Sequence, residues 1–182
     1  MPRPKLLGIS GSLRRDSFCT AILRTAAERL AAKAHLEVIS LQTLPLYNQD
    51  LDGSERPAAV TALQNAIAEA AGLVIVTPEY NYGLSGVLKN ALDWASRPYG
   101  QSTLTSKPVL TMSASPAATG GVRAQSQLTE TLLAIGARLL LRPQIVIGLV
   151  HEKVEDHRLT DAKSLRYVDD GLNDLLRVIA AT

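Results

Sequence analysis

Short apolar runs and longer stretches with apolar residues three or four positions apart take turns along the chain. The runs at 5–10 (KLLGIS), 36–41 (LEVISL), 73–77 (LVIVT), 108–113 (PVLTMS) and 145–147 (IVI) predict strands. Between them, helical spacing predicts helices over 17–34 (Ala21, Ile22, Ala26, Leu30), 57–71, 87–96, 122–135 and 162–180. Pro57 suits a first helical turn, and Arg97 with Pro98 closes the third helix. LVIVT is an unbroken β-branched run, which predicts a central strand covered by helices on both faces. Residues 44–57 (LPLYNQDLDGSERP) carry the Pro, Asn, Asp and Gly of irregular structure. Five strands alternating with five helices predict a doubly wound α/β fold, because parallel neighbours need crossovers and crossovers are right-handed. Such sheets bind ligands beyond the carboxyl ends of their strands, where strand order reverses. The loops after the first, third and fourth strands therefore matter most.

Composition narrows the picture further. A chain of 182 residues suits one well-buried core, so a single domain over 1–182 is expected. Nineteen Lys and Arg against 17 Asp and Glu are spread along the chain, which leaves no block to grip a polyanion, and nucleic acid is not an expected partner. Cys19 is the only cysteine, which excludes an internal disulfide and a multi-cysteine metal site and fits a reducing cytosol. MPRPKLLGISGS lacks the apolar core of a secretory signal, and the apolar runs fall short of the roughly 18 residues of a membrane helix. A cytoplasmic protein with no membrane contact and no metal site is the expectation. His35, His151 and His157 lie outside the three loops and read as solvated surface residues.

The first loop, SGSLRRDSFCT, gathers Ser10, Ser12, Ser17 and Thr20 with Arg14 and Arg15 at the start of a helix. Helix amides, the macrodipole, hydroxyls and a guanidinium together suit a phosphate monoester. It lacks the GxGxxG of a dinucleotide loop, an acidic residue ending the second strand, and the GxxxxGK[ST] of a P-loop. An ordinary serine-rich helix cap is the alternative. The second loop, PEYNYG at 78–83, could seat a planar heterocycle, its amides meeting the polar edge of a flavin and Tyr80 or Tyr82 covering a ring face. A tyrosine turn that merely packs is the alternative. The third loop, SASPAATGG at 113–121, has small residues that let backbone approach a ligand, or else simply connect strand to helix.

With these residues in view, the chain resembles the NAD(P)H-dependent FMN reductase family of flavodoxin-like proteins, which includes bacterial quinone and chromate reductases. The resemblance covers nearly the whole chain and rests on GSLRRDSFCT (11–20), VTPEYNYGLSGVLKNALDW (76–94) and SxSxxxxGG (113–121). It implies a flavodoxin-like five-stranded parallel sheet in the order second, first, third, fourth, fifth, with helices on both faces. It implies that Ser12, Arg14 and Ser17 hold the FMN phosphate, with backbone from Leu13 through Phe18 to Cys19 completing the cradle. Pro78, Glu79, Tyr80, Asn81 and Tyr82 would border the isoalloxazine, and Ser115, with the glycine pair that begins at Gly120, would reach it from the third loop. Many relatives carry asparagine at position 19, so the thiol would be a weaker donor if that side chain serves the phosphate. The resemblance also implies a homodimer or homotetramer, with Leu84, Val87, Leu88, Leu92 and Trp94 near the interface or in the core. Lys89 and Asn90 are motif positions without an assigned task.

The implied activity moves electrons from NADPH or NADH through FMN to a small acceptor such as a quinone, an azo compound, free flavin or chromate. The flavin carries the chemistry, and no side chain is expected as general acid or base. A flavodoxin-type electron carrier and a non-catalytic FMN-binding module are the alternatives; carriers of that kind are strongly acidic, whereas the pI here is near 8.8. Cys19 as a reactive thiol at a helix N-terminus is a further alternative.

Overall fold

The computed structural model describes residues 3–181. The apolar run at the start forms β1 (Lys5–Ser10), followed by α1 (Phe18–Leu30), β2 (His35–Ile39) and α2 (Ala58–Glu69). Then come β3 (Gly72–Tyr80), a two-residue β4 (Gly83–Leu84) and α3 (Gly86–Ala95). The remainder is β5 (Pro108–Ala114), α4 (Val122–Ile135), β6 (Arg138–Leu139), β7 (Ile145–Ile147), β8 (Val154–Glu155), β9 (Arg158–Leu159) and α5 (Ala162–Ala180).

The strands β2, β1, β3 and β5 lie side by side in that order, all parallel, as expected of a flavodoxin-like sheet. The fifth place differs from expectation, since two short strands, β6 and β7, share the outer edge of β5. Pro143 lies between them and offers no amide to a ladder, so one continuous strand cannot form there. Two antiparallel pairs were also not anticipated: β4 against the end of β3, and β8 against β9.

The strands alternate their side chains between two cores. Leu6, Val74, Val76, Leu110 and Met112 face α1 and α5, where Ile22, Leu23, Leu172 and Leu175 meet them. Leu7, Ile9, Leu73 and Ile75 face α2, α3 and α4, meeting Leu63, Ile67, Leu88, Leu92, Leu128 and Leu132. Both faces of β3 are covered, which is why its sequence shows no polar alternation. Leu88, Leu92 and Trp94 are fully buried, so they serve the core rather than an outer surface, while Leu84 and Val87 are half-buried.

The motif KNALDW gains a task from the structure. Asn90 accepts from Tyr47 N at 2.7 Å and donates to Pro45 O at 2.9 Å. Trp94 Nε1 donates to the same Pro45 carbonyl at 2.9 Å, and the Tyr47 ring meets the indole edge-on at 4.9 Å. Gln64 on α2 ties this corner to the Trp94 and Arg97 carbonyls, each at 3.0 Å. Lys89 pairs with Asp93 one turn on. The segment before α2, which holds one short 3-10 turn at Gln49–Leu51, is thus pinned by the Asn90 amide and the Trp94 indole. Asn90→Ala removes two such bonds at once and should lower unfolding free energy by about 2 kcal/mol, measured by urea denaturation against the parent protein.

Candidate functional site

Parallel register brings the three loops to one edge. Ser10 at the end of β1 lies opposite Val76, and Pro78, where the pairing of β3 with β5 stops, lies opposite Ala114. The first two loops are in direct contact, because Gly11 N donates to Val76 O at 2.8 Å and a Cβ on Gly11 would lie 2.9 Å from Pro78 Cδ. Ser85, the N-cap of α3, adds a tie that the sequence did not single out, donating from its hydroxyl to Gly11 O at 2.6 Å. Its only sequence signal is the serine preceding a helical run.

At the head of α1, Ser17 is the N-cap and accepts from Thr20 N at 3.2 Å. The amides of Phe18 and Cys19 open the helix, where no preceding turn supplies them with carbonyls. Thr20 donates to Ser10 Oγ at 2.9 Å, and Arg14 N approaches Ser12 Oγ at 3.4 Å, so the hydroxyls order the loop. Leu13 and Arg14 are exposed, and the Arg14 guanidinium sits 5.8 Å from the Phe18 ring centroid, close to the first helical turn. Free amides, hydroxyls, a guanidinium and the positive end of a helix form a donor set that fits a phosphate group.

Cys19 departs from the alternative of a reactive thiol. Its side chain is 1% exposed and packs with the core beneath α1, its thiol close to the Ser17 hydroxyl at the helix cap. Burial, the dominant cause, pushes the thiol up to about 12, which overturns the reactive-thiol alternative.

The turn PEYNYG forms an antiparallel hairpin. Glu79 pairs with Leu84 and Tyr80 with Gly83, leaving Asn81 and Tyr82 as the two turn residues, at φ 48° and 65°. Positive φ at both positions is the two-residue turn that matches strand twist. Asparagine adopts it readily and tyrosine does not. Tyr80 and Tyr82 are both exposed, at 51% and 68%.

The Glu79 side chain turns away from the hairpin tip towards α4. Its Oε2 accepts from Arg123 N at 3.0 Å and Ala124 N at 3.1 Å. The residue at the cap position of α4 is Gly121, at φ 84° and with no side chain to cap with, so a strand residue distant in sequence does the capping. Leu84 N donates to Gln127 Oε1 at 3.1 Å, a second link from the hairpin to α4.

In the third loop, Ser115 N donates to Ile147 O at 3.1 Å and Ser115 Oγ accepts from Ala117 N at 3.1 Å. Gly120, at φ 65°, lies so close to the chain after β7 that a Cβ would sit 2.8 Å from Gly148 N. The glycine therefore answers a packing need within the fold. From the other side, the turn between β8 and β9 reaches the first loop, with His157 Nδ1 3.8 Å from Asp16 Oδ1. His35, His151 and His157 are exposed, as expected. Among the described residues, no cluster of His, Cys, Asp and Glu could hold a metal, and no helix is long and apolar enough to cross a membrane.

A doubly wound sheet with a hydroxyl-rich loop after its first strand and a tyrosine hairpin after its third has the architecture of the flavodoxin-like FMN proteins. The family described as NADPH-dependent FMN reductase matches residues 4–152, and the chain belongs to that family. It is an NAD(P)H-dependent oxidoreductase with FMN as cofactor. An NAD(P)H-dependent FMN reductase of Pseudomonas aeruginosa is 37% identical over 172 residues, 94% of this chain and 92% of that protein. A 2-hydroxy-1,4-benzoquinone reductase of a Burkholderia species is 42% identical over 143 residues, 79% of this chain and 78% of that protein. Among solved structures, a flavoenzyme NAD(P)H:(acceptor) oxidoreductase of Paracoccus denitrificans superposes with a TM-score of 0.87 at 27% identity, covering 98% of both chains.

The buried thiol yields a direct check. Iodoacetamide at pH 8 should leave native Cys19 unmodified and add one adduct after unfolding in guanidinium, read by intact mass; rapid labelling of native protein would contradict the burial.

Proposed function

We propose that this protein is a cytoplasmic quinone reductase, drawing two electrons from NADH or NADPH and working as a homodimer or homotetramer. The balanced reaction is NAD(P)H + H⁺ + quinone → NAD(P)⁺ + hydroquinone. The observation that carries the site is the meeting of three loops at one sheet edge, stitched by the bond from Ser85 to Gly11 and the cap from Glu79 to α4. Relatives named quinone reductase support the acceptor class, among them one from Escherichia coli at 37% identity over 174 residues.

In this reading Ser12, Arg14 and Ser17, with the amides from Leu13 through Phe18 to Cys19, hold the FMN phosphate. Pro78, Tyr80, Asn81 and Tyr82 border the ring together with the Glu79 backbone, and Ser115 and Gly120 close the third side. Bound FMN supplies a ring that accepts hydride from nicotinamide and passes two electrons to the acceptor. The chain's own residues orient and enclose. Exposed tyrosines at the rim provide flat apolar surface for a second planar molecule, and solvent at an open edge supplies the proton. No side chain is assigned as acid or base.

Two measurements test this. The FMN-loaded protein should bleach on anaerobic addition of NADH or NADPH and recover its absorbance when 1,4-naphthoquinone is added; flavin that stays oxidised with both nucleotides would sink the proposal. Arg14→Ala should raise the FMN dissociation constant about tenfold or more, as expected for losing a charged hydrogen bond, whereas Cys19→Ala should act mainly on melting temperature. Equal loss of FMN affinity in the two variants would remove the cradle assignment.

A further inference from the structure

Arg123 stands at the junction of the second and third loops. Its guanidinium carbon lies 4.4 Å from the centroid of the Tyr82 ring, a stacking distance. The nearest carboxylate atom, Glu79 Oε1, is 3.7 Å from Nη1, beyond hydrogen-bond length, and the other Glu79 oxygen already takes two amides of α4. Among the described residues, no acceptor therefore engages the side-chain N–H groups of Arg123, and the side chain is 53% exposed. Its location is nevertheless fixed. The arginine springs from the first turn of α4, and the tyrosine beneath it sits in a two-residue turn with a set backbone.

An anchored guanidinium beside an exposed aromatic ring is a site for a flat anion. We infer that Arg123 and Tyr82 form a docking platform for acceptors that are both planar and anionic, and that the platform raises affinity for quinones carrying an ionised hydroxyl over their neutral counterparts. This rests on the quinone reductase reading above. A 2-hydroxy-1,4-quinone is a vinylogous carboxylic acid, ionised at neutral pH, with its charge shared between an enolate oxygen and the carbonyls. The enolate oxygen and the neighbouring carbonyl lie side by side, which matches the two parallel N–H groups of a guanidinium fork. The tyrosine ring offers apolar contact to either kind of quinone, so it adds affinity without discrimination. Only the arginine tells them apart.

The test compares 2-hydroxy-1,4-naphthoquinone with 1,4-naphthoquinone at pH 7.5 and saturating NADH, in the FMN-loaded wild type, Arg123→Gln and Arg123→Lys. The ratio of kcat/KM for the hydroxyquinone over the neutral quinone should fall about tenfold in Arg123→Gln, through KM rather than kcat. Arg123→Lys should recover part of it, since the charge remains and the fork is lost. Using the ratio between variants cancels the difference in reduction potential between the two quinones. Calorimetric titration of the oxidised holoprotein with the hydroxyquinone, without nicotinamide, should show the same weakening. A ratio unchanged in Arg123→Gln, or an equal fall for both quinones, overturns the platform. Reduction of neither quinone by the wild type overturns the quinone reading, and this inference with it, whereas reduction of both without sensitivity to Arg123 overturns this inference alone.

Discussion

Strands that run parallel in one sheet must all release their chain at the same edge, and the site depends on that constraint. Because Ser10 lies opposite Val76 and Pro78 opposite Ala114, the loops after β1, β3 and β5 leave from three adjacent strands, each one strand spacing from the next. Residues distant in sequence thereby reach a common rim without any long connection to carry them there. The helices that return the chain cover both faces of the sheet, so the strands can be wholly apolar and the polar residues gather where the strands stop.

Proximity alone would leave three mobile segments. The structure joins them by bonds between different loops. Ser85 at the start of α3 holds the carbonyl of Gly11 in the first loop. Glu79 in β3 caps a helix that belongs to the third loop, where the local position is a glycine that cannot cap. A cap normally comes from the residue beside the helix, so its stabilisation is local. Here the same contact also fixes the orientation of the tyrosine hairpin, and neither α4 nor the hairpin can shift without the other. It also occupies one Glu79 oxygen, and among the described residues the Arg123 side chain keeps its hydrogen-bonding capacity.

Much of this could be read from residues alone, and the gaps have physical causes. LVIVT announced a central strand because burial on both faces removes the need for polar alternation. Residues 122–135 and 162–180 showed helical spacing that α4 and α5 match. The β4 strand escaped notice since the turn before it is Asn-Tyr, without the glycine that usually marks a two-residue hairpin. The interrupted edge formed by β6 and β7 is too short for periodicity to register. Position 19 is legible as the start of α1, yet whether its side chain is exposed or buried depends on which face of α1 meets the core. Asn90, Ser85 and Arg123 act through partners 41 to 74 residues away (Tyr82 to Arg123 by 41, Tyr47 to Asn90 by 43, Pro45 to Asn90 by 45, Gly11 to Ser85 by 74). Nothing in their local sequence names those partners.

Trp94 is the single tryptophan, wholly buried, with its indole N–H bound to Pro45 and its edge against Tyr47. It lies on α3, the helix whose first residue follows the Ser85 tie to the first loop. The protein thus carries a built-in optical reporter at a single address. Its emission reads the polarity and mobility of the irregular segment around Pro45, and because oxidised flavin absorbs in the range where indole emits, occupancy of the cofactor site is written into the same signal as a loss of fluorescence.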